Sequence, residues 1–125
     1  MNKRVLVIDD NEDLRHVTRV FLEQAGMEVF EAGSNKETLN VCAHEQPHLL
    51  IMDIYLGSEL SLDAAVEISR DPEYYGKPKI IAVSGTIGGE LIKSQAFLDE
   101  NHIDCFLKKP FDFNVLIDKI NELLQ

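Results

Sequence analysis

No CxxC pair, no long apolar run and no surplus of positive charge occur in this 125-residue chain. Each absence removes a class of protein. The two cysteines, Cys42 and Cys105, lie far apart in sequence, so neither a disulfide framework nor a zinc site is indicated. They read as small buried apolar residues. No apolar stretch approaches the roughly 20 residues of a membrane span. The opening Met1-Asn2-Lys3-Arg4 leads into an apolar run that is too short for a signal peptide and ends in charge. A reducing cytoplasm is therefore the expected location. Basic residues number 12 against 22 acidic ones, a net charge of −10. Such a chain repels phosphate backbones and anionic membrane surfaces, so direct binding to nucleic acid or membrane is not expected. A metal- or phosphate-handling site stays open, because a few local groups can invert the local sign.

What is present is an ordinary globular composition, 45% hydrophobic and 27% charged. Disorder and low complexity are excluded. The length fits one domain, which at this size buries about two-thirds of the surface its unfolded chain exposes. A core can form without disulfides or a structural metal.

Apolar runs and helical patterns alternate along the chain. Val5-Leu6-Val7-Ile8 is a continuous apolar run that stops at Asp9-Asp10. Such unalternated runs suit a strand buried on both faces, as in a parallel sheet. Leu14, Val17, Phe21 and Ala25 then recur at helical steps, and Gly26 ends the pattern. Glu28 to Glu31 reads as a second strand. Ser34 with Glu37 has the form of a capping box, opening a helix that carries Leu39 and Cys42 inward and stops before Pro47. His48 to Met52 is a third strand, stopped by Asp53. A helix from Leu62 to Arg70 is closed by Asp71-Pro72. Lys79 to Val83 is a fourth strand, ending at Ser84-Gly85. A helix from about Glu90 to Leu98 follows, then a fifth strand from Ile103 to Leu107, ending at Lys108-Lys109-Pro110. The last helix opens near Asp112, with Leu116, Ile120, Leu123 and Leu124 on one face. Strict alternation predicts a single α/β domain with a parallel sheet and helices on both faces. The chain stops with the last helix, so no second domain is expected.

The residue types at the strand ends carry the chemistry. Strand one ends in two carboxylates, strand three in one, strand four in a hydroxyl beside glycine, and strand five in lysine. The carboxyl ends of an open α/β sheet share one edge, where ligands bind. Asp9, Asp10, Asp53, Ser84 and Lys109 should therefore converge. Crowded carboxylates repel one another, and a divalent cation relieves that. Magnesium suits the set, since it takes oxygen ligands and keeps several waters. With lysine as a second point charge, the site fits receipt of a phosphoryl group by an aspartate. Gly85 lets such a group approach the backbone.

Asp9-Asp10, Asp53, Ser84-Gly85 and Lys109-Pro110-Phe111, each after its own strand, resemble the receiver domain of two-component response regulators. The resemblance covers the whole chain, residues 1–125. It implies a flavodoxin-like, doubly wound five-stranded sheet of order 2-1-3-4-5, with five helices on its two faces. It implies Asp53 as phosphoacceptor. Asp10 and Asp53 would bind magnesium directly, Asp9 mainly through water, and the carbonyl of Tyr55 would complete the protein ligands. Ser84 and Lys109 would meet the phosphoryl group, with Pro110 following a cis peptide bond. Phe106 aligns with the family's switch aromatic, which moves inward after Ser84; simple core packing is the alternative. The implied donor is the phosphohistidine of a sensor histidine kinase or histidine phosphotransfer protein. The implied output is a population shift on the face of the fourth helix, fifth strand and fifth helix, read by a downstream protein. The chain is then a signalling module rather than an enzyme, catalysing only its own phosphorylation and dephosphorylation.

Other readings compete. Taken singly, Asp9-Asp10 is an ordinary helix-capping turn, and Lys108 reads as a solvated lysine. His16, His44, His48 and His102 are scattered and carry no assigned role. Gly88-Gly89 is no dinucleotide fingerprint and instead loosens the start of the fourth helix. A receiver excised from a longer regulator or hybrid kinase would share all the chemistry. A magnesium phosphohydrolase would want a second acid where Tyr55 stands, and a flavin protein would not place acids after strand one. Gly57 stands where the family favours proline, and Leu60-Ser61 where it favours Asp-Gly. The loop after Asp53 is therefore expected to be more mobile or differently shaped, with Tyr55 screening an acyl phosphate from water.

Overall fold

A computed structural model describes residues 2–85 and 95–125 of the chain. Gly88-Gly89 and the expected start of the fourth helix lie outside these residues. Five parallel strands form the main sheet: β1 (Arg4–Ile8), β2 (Glu28–Ala32), β3 (Leu49–Asp53), β4 (Lys79–Ser84) and β5 (Cys105–Lys108). Their order is β2-β1-β3-β4-β5, the order expected. The longer helices among the described residues are α1 (Glu12–Gln24), α2 (Asn35–Glu45), α3 (Leu62–Arg70), α4 (Gln95–Glu100) and α5 (Phe113–Leu123).

Strand parity sorts the core into two layers. Successive side chains of a strand point to opposite faces. Val5, Val7, Leu49, Ile51, Ile81 and Val83 pack with Leu22, Leu116 and Ile120 of α1 and α5. Leu6, Ile8, Leu50, Met52, Ile80 and Ala82 pack with Cys42, Ala65, Ile68 and Leu98 of α2, α3 and α4. Both faces of β1, β3 and β4 are buried, which is why those strands read as unbroken apolar runs. Burial pushes the Cys42 thiol up to about 12, so it behaves as a small apolar residue. No helix among the described residues is long and apolar enough to cross a membrane.

Helix starts are capped as their sequences suggest. The Asn11 side chain accepts from Leu14 N at 3.0 Å, and Ser34 Oγ accepts from Glu37 N at 3.2 Å. Glu37 turns back one residue further than a capping box requires, accepting from Gly33 N at 3.1 Å.

The structure adds to the sequence pattern in three places and moves one strand boundary. α1 buries Thr18 and Leu22, while Leu14, Val17 and Phe21 are 36–43% exposed. The apolar stripe flanks the buried face, and Phe21 stacks sideways on Phe113 of α5 at 4.3 Å. α3 ends at Arg70 as expected, and Asp71 also caps a further helical turn, Pro72–Tyr75, with proline in its first turn. β5 begins at Cys105 rather than Ile103, and the Asp104 N–H already bonds the carbonyl of Ile80 at 2.9 Å. The loop after β3 holds a small antiparallel hairpin, Tyr55–Leu56 with Glu59–Leu60.

An ion-pair network ties α1 to β2. Glu31 accepts from Arg15 Nε at 2.8 Å and from Arg19 Nη1 at 3.0 Å. Burial alone would raise the Glu31 carboxyl, but the two arginines outweigh it and hold it below the ordinary value. A lowered carboxyl stabilises the fold above its unfolded-state titration and loses that contribution as pH falls through the folded value. Glu31→Gln is expected to cost about 1 kcal/mol at neutral pH, discounted for partial exposure. In urea denaturation across pH, the gap to wild type should narrow as the solution is acidified below the ordinary Glu range; a pH-independent gap would contradict the assignment.

Candidate functional site

Register brings the strand-end residues together. Ile8 pairs with Met52, and Asp53 with Val83, so Asp9 and Asp53 leave the sheet side by side. Val83 in turn pairs with Leu107, two residues before Lys109. Asp9, Asp53 and Lys109 thus share the parity of the α1/α5 face. That parity, more than the following proline, separates Lys109 from its neighbour: Lys108 pairs with Ser84 and is exposed.

The lysine lies between the two acids. Lys109 Nζ is 2.7 Å from Asp53 Oδ2 and 3.1 Å from Asp9 Oδ2. Asp9 is buried, Asp53 part-buried and Asp10 exposed, and one carboxylate oxygen of each lies within 4.8 Å of the others. Backbone groups fix the remaining oxygens: Asn11 N donates to Asp9 Oδ1 at 2.9 Å, and Tyr55 N to Asp53 Oδ1 at 3.2 Å. Burial lifts the Asp53 carboxyl above its usual range; Lys109 and Tyr55 N pull the other way, and Asp9 adds to the rise. Burial would lower the Lys109 ammonium, but Asp53 and Asp9 together more than reverse this. Burial thus sets the direction for Asp53, and the two acids set it for Lys109.

The other candidate residues divide. Ser84 is buried at the end of β4, and its carbonyl accepts from Lys109 N at 3.0 Å. Gly85 lies against Lys109, where a β-carbon would sit 3.3 Å from Lys109 Cβ. Lys109-Pro110 is cis. Phe106 is part-buried and packs on the opposite layer, against the α2/α3/α4 core. The Tyr55 side chain is 42% exposed. Arg15 is a residue the sequence pattern did not single out: its Nη1 donates to the Asp9 carbonyl at 2.8 Å. No spacing marks it, since only the placement of β2 beside β1 brings Glu31 and Arg15 together.

The donor set suits a hard divalent cation, which takes oxygen ligands and tolerates a shared carboxylate site. Three acids and a lysine at one carboxyl edge of an open α/β sheet form an arrangement that a divalent cation or a phosphate group would fit. The comparison with known proteins is narrower. The response regulator receiver domain family matches residues 5–121, and the chain belongs to that family. It is 32% identical over 118 residues to the CAI-1 autoinducer sensor kinase/phosphatase CqsS of Vibrio cholerae, covering 94% of this chain and 17% of the kinase. It is 27% identical over 125 residues to the phosphate regulon transcriptional regulatory protein PhoB of Pseudomonas aeruginosa, covering 100% of this chain and 53% of PhoB. The response regulator receiver domain of Bermanella marisrubri superposes with a TM-score of 0.84 at 25% identity, covering 100% of both chains. The chain thus spans about half or less of these curated relatives.

Removing the cation between the two acids tests the electrostatics. In Lys109→Met, the Asp53 carboxyl should titrate at higher pH than in wild type, because burial and Asp9 then act unopposed by a cation. The readout is the side-chain carboxyl carbon shift followed by NMR. A midpoint unchanged between the two proteins would refute the pairing.

Proposed function

We propose that this receiver domain, residues 1–125, is a phosphoacceptor acting through Asp53. A carboxylate oxygen of Asp53 attacks the phosphorus of a phosphohistidine on a sensor histidine kinase or histidine phosphotransfer protein. The phosphorus–nitrogen bond breaks, and the imidazole leaves with the electron pair. The observation that carries the reading is the ammonium of Lys109 at 2.7 Å from Asp53 Oδ2, beside a second and a third acid. Asp9, Asp10, Asp53 and the Tyr55 carbonyl would hold Mg2+, which when bound neutralises phosphoryl oxygens and the crowded carboxylates. Lys109 supplies the second positive charge, Ser84 a hydroxyl donor, and Gly85 room for the group. Phe106 and the face of α4, β5 and α5 then report the change to a downstream protein in the cytoplasm, without direct contact to nucleic acid or membrane. The same chemistry holds whether the domain works alone or within a longer regulator or hybrid kinase. A phosphohydrolase acting on outside substrates is disfavoured, because Tyr55 stands where a second acid would be wanted.

Intact mass after incubation with a small phosphodonor and magnesium is the direct test. One added phosphoryl group is expected in wild type and none in Asp53→Asn. Labelling of the variant, or steady turnover of a generic phosphate ester, would overturn the reading. A second expectation concerns lifetime. Tyr55 is bulky and stands two residues after Asp53, and in this reading its ring screens the acyl phosphate from water. Tyr55→Ala should therefore lose phosphate several-fold faster, by about 1 kcal/mol of barrier, and equal or slower loss would sink the shielding role.

A further inference from the structure

The segment after Asp53 is short, irregular and closely tied. Ser61 N and Ser61 Oγ both donate to the carbonyl of Ile54, at 2.9 and 3.3 Å, and close its base. Above that base Tyr55 pairs with Leu60 and Leu56 with Glu59. The turn passes through Gly57 at φ +61°, a conformation that favours glycine, and a β-carbon there would lie 3.8 Å from Asp10 Oδ2. A hairpin with two residues per strand does not hold itself together in water. Its order must come from ties to the rest of the fold.

Leu56 is buried in the α2/α3/α4 layer and anchors one strand, and the polar ties to the other strand come from one residue of α2. Asn35 N donates to Glu59 Oε1 at 3.3 Å, and Asn35 Nδ2 donates to the Leu60 carbonyl at 3.0 Å. Asn35 is the first residue of α2, so its N–H is one of the donors a helix start leaves without an internal partner. Asn35 Oδ1 is buried with no hydrogen-bond partner among the described residues. An orphaned buried acceptor is unfavourable, so what recommends asparagine here is the bond its amide nitrogen makes to the hairpin.

We propose that Asn35 is a positioning residue for the phosphoacceptor site. With Glu59 it straps the hairpin to α2. The strap fixes Tyr55, whose N–H holds Asp53 Oδ1 and whose carbonyl is a cation ligand in the proposed function, and keeps the Gly57 turn beside Asp10. The inference rests on that functional reading.

The test is Mg2+ affinity by titration calorimetry on metal-free protein, with thermal melting to establish that each variant folds. Asn35→Asp keeps the shape, removes the donor to Leu60 and adds negative charge near the site. Charge alone would tighten binding; loss of the strap should weaken it by about ten-fold, the lower end of effects seen for outer-shell partners. Glu59→Ala and Glu59→Gln remove the same charge, but only glutamine keeps an oxygen for Asn35 N. Glutamine should retain affinity and alanine lose it. Asn35→Asp binding as tightly as wild type, or both Glu59 variants weakening alike, would overturn the strap. A wild-type protein whose Mg2+ uptake is absent or indifferent to Asp10→Asn would overturn the functional reading itself, and the proposal with it.

Discussion

The carboxyl edge of this sheet depends on one ammonium group shared by two carboxylates. Asp9 and Asp53 are adjacent because β1 and β3 are adjacent and in register. Neither has free access to water, and without Lys109 their repulsion would fall on the strands that carry them. The lysine arrives from the far side of β4, at the end of an edge strand. The closure of β5 onto β4 and the charge balance of the site are therefore one constraint.

Much of this was legible in the chain. Val5–Ile8 and Leu49–Met52 are unalternated because each parity faces its own helical layer. Once those strands are placed, the acids that stop them have to share an edge. Lys109 could be preferred to Lys108 from the following proline, and parity gives the preference its physical basis. The departures Gly57 and Leu60-Ser61 signalled an unusual loop, but not its form. Ser61 needs no glycine conformation, since its φ and ψ of −64° and −19° are helical.

What sequence could not supply is sideways contact. The stripe Leu14, Val17 and Phe21 has helical spacing, yet spacing alone does not say whether a stripe faces the sheet or the neighbouring helix. Phe113, distant in sequence, decides it by stacking on Phe21. The same holds for Asn35 and Glu59, and for Arg15 and Glu31, whose partners are brought together only by helix and strand placement. Such contacts leave no periodic trace, so they are the last to be read.

The two-layered core has a consequence for how such a chain changes over generations. The sheet divides the interior into compartments filled by different residues of the same strands. A substitution that enlarges a side chain under α1 can be accommodated there without disturbing the packing beneath α3, and distant sites of this kind combine nearly independently. The strand ends have no such latitude, because Asp9, Asp53 and Lys109 each answer to the other two. A change at any one of these three is therefore felt at the other two, while a change of volume in one layer stays within that layer.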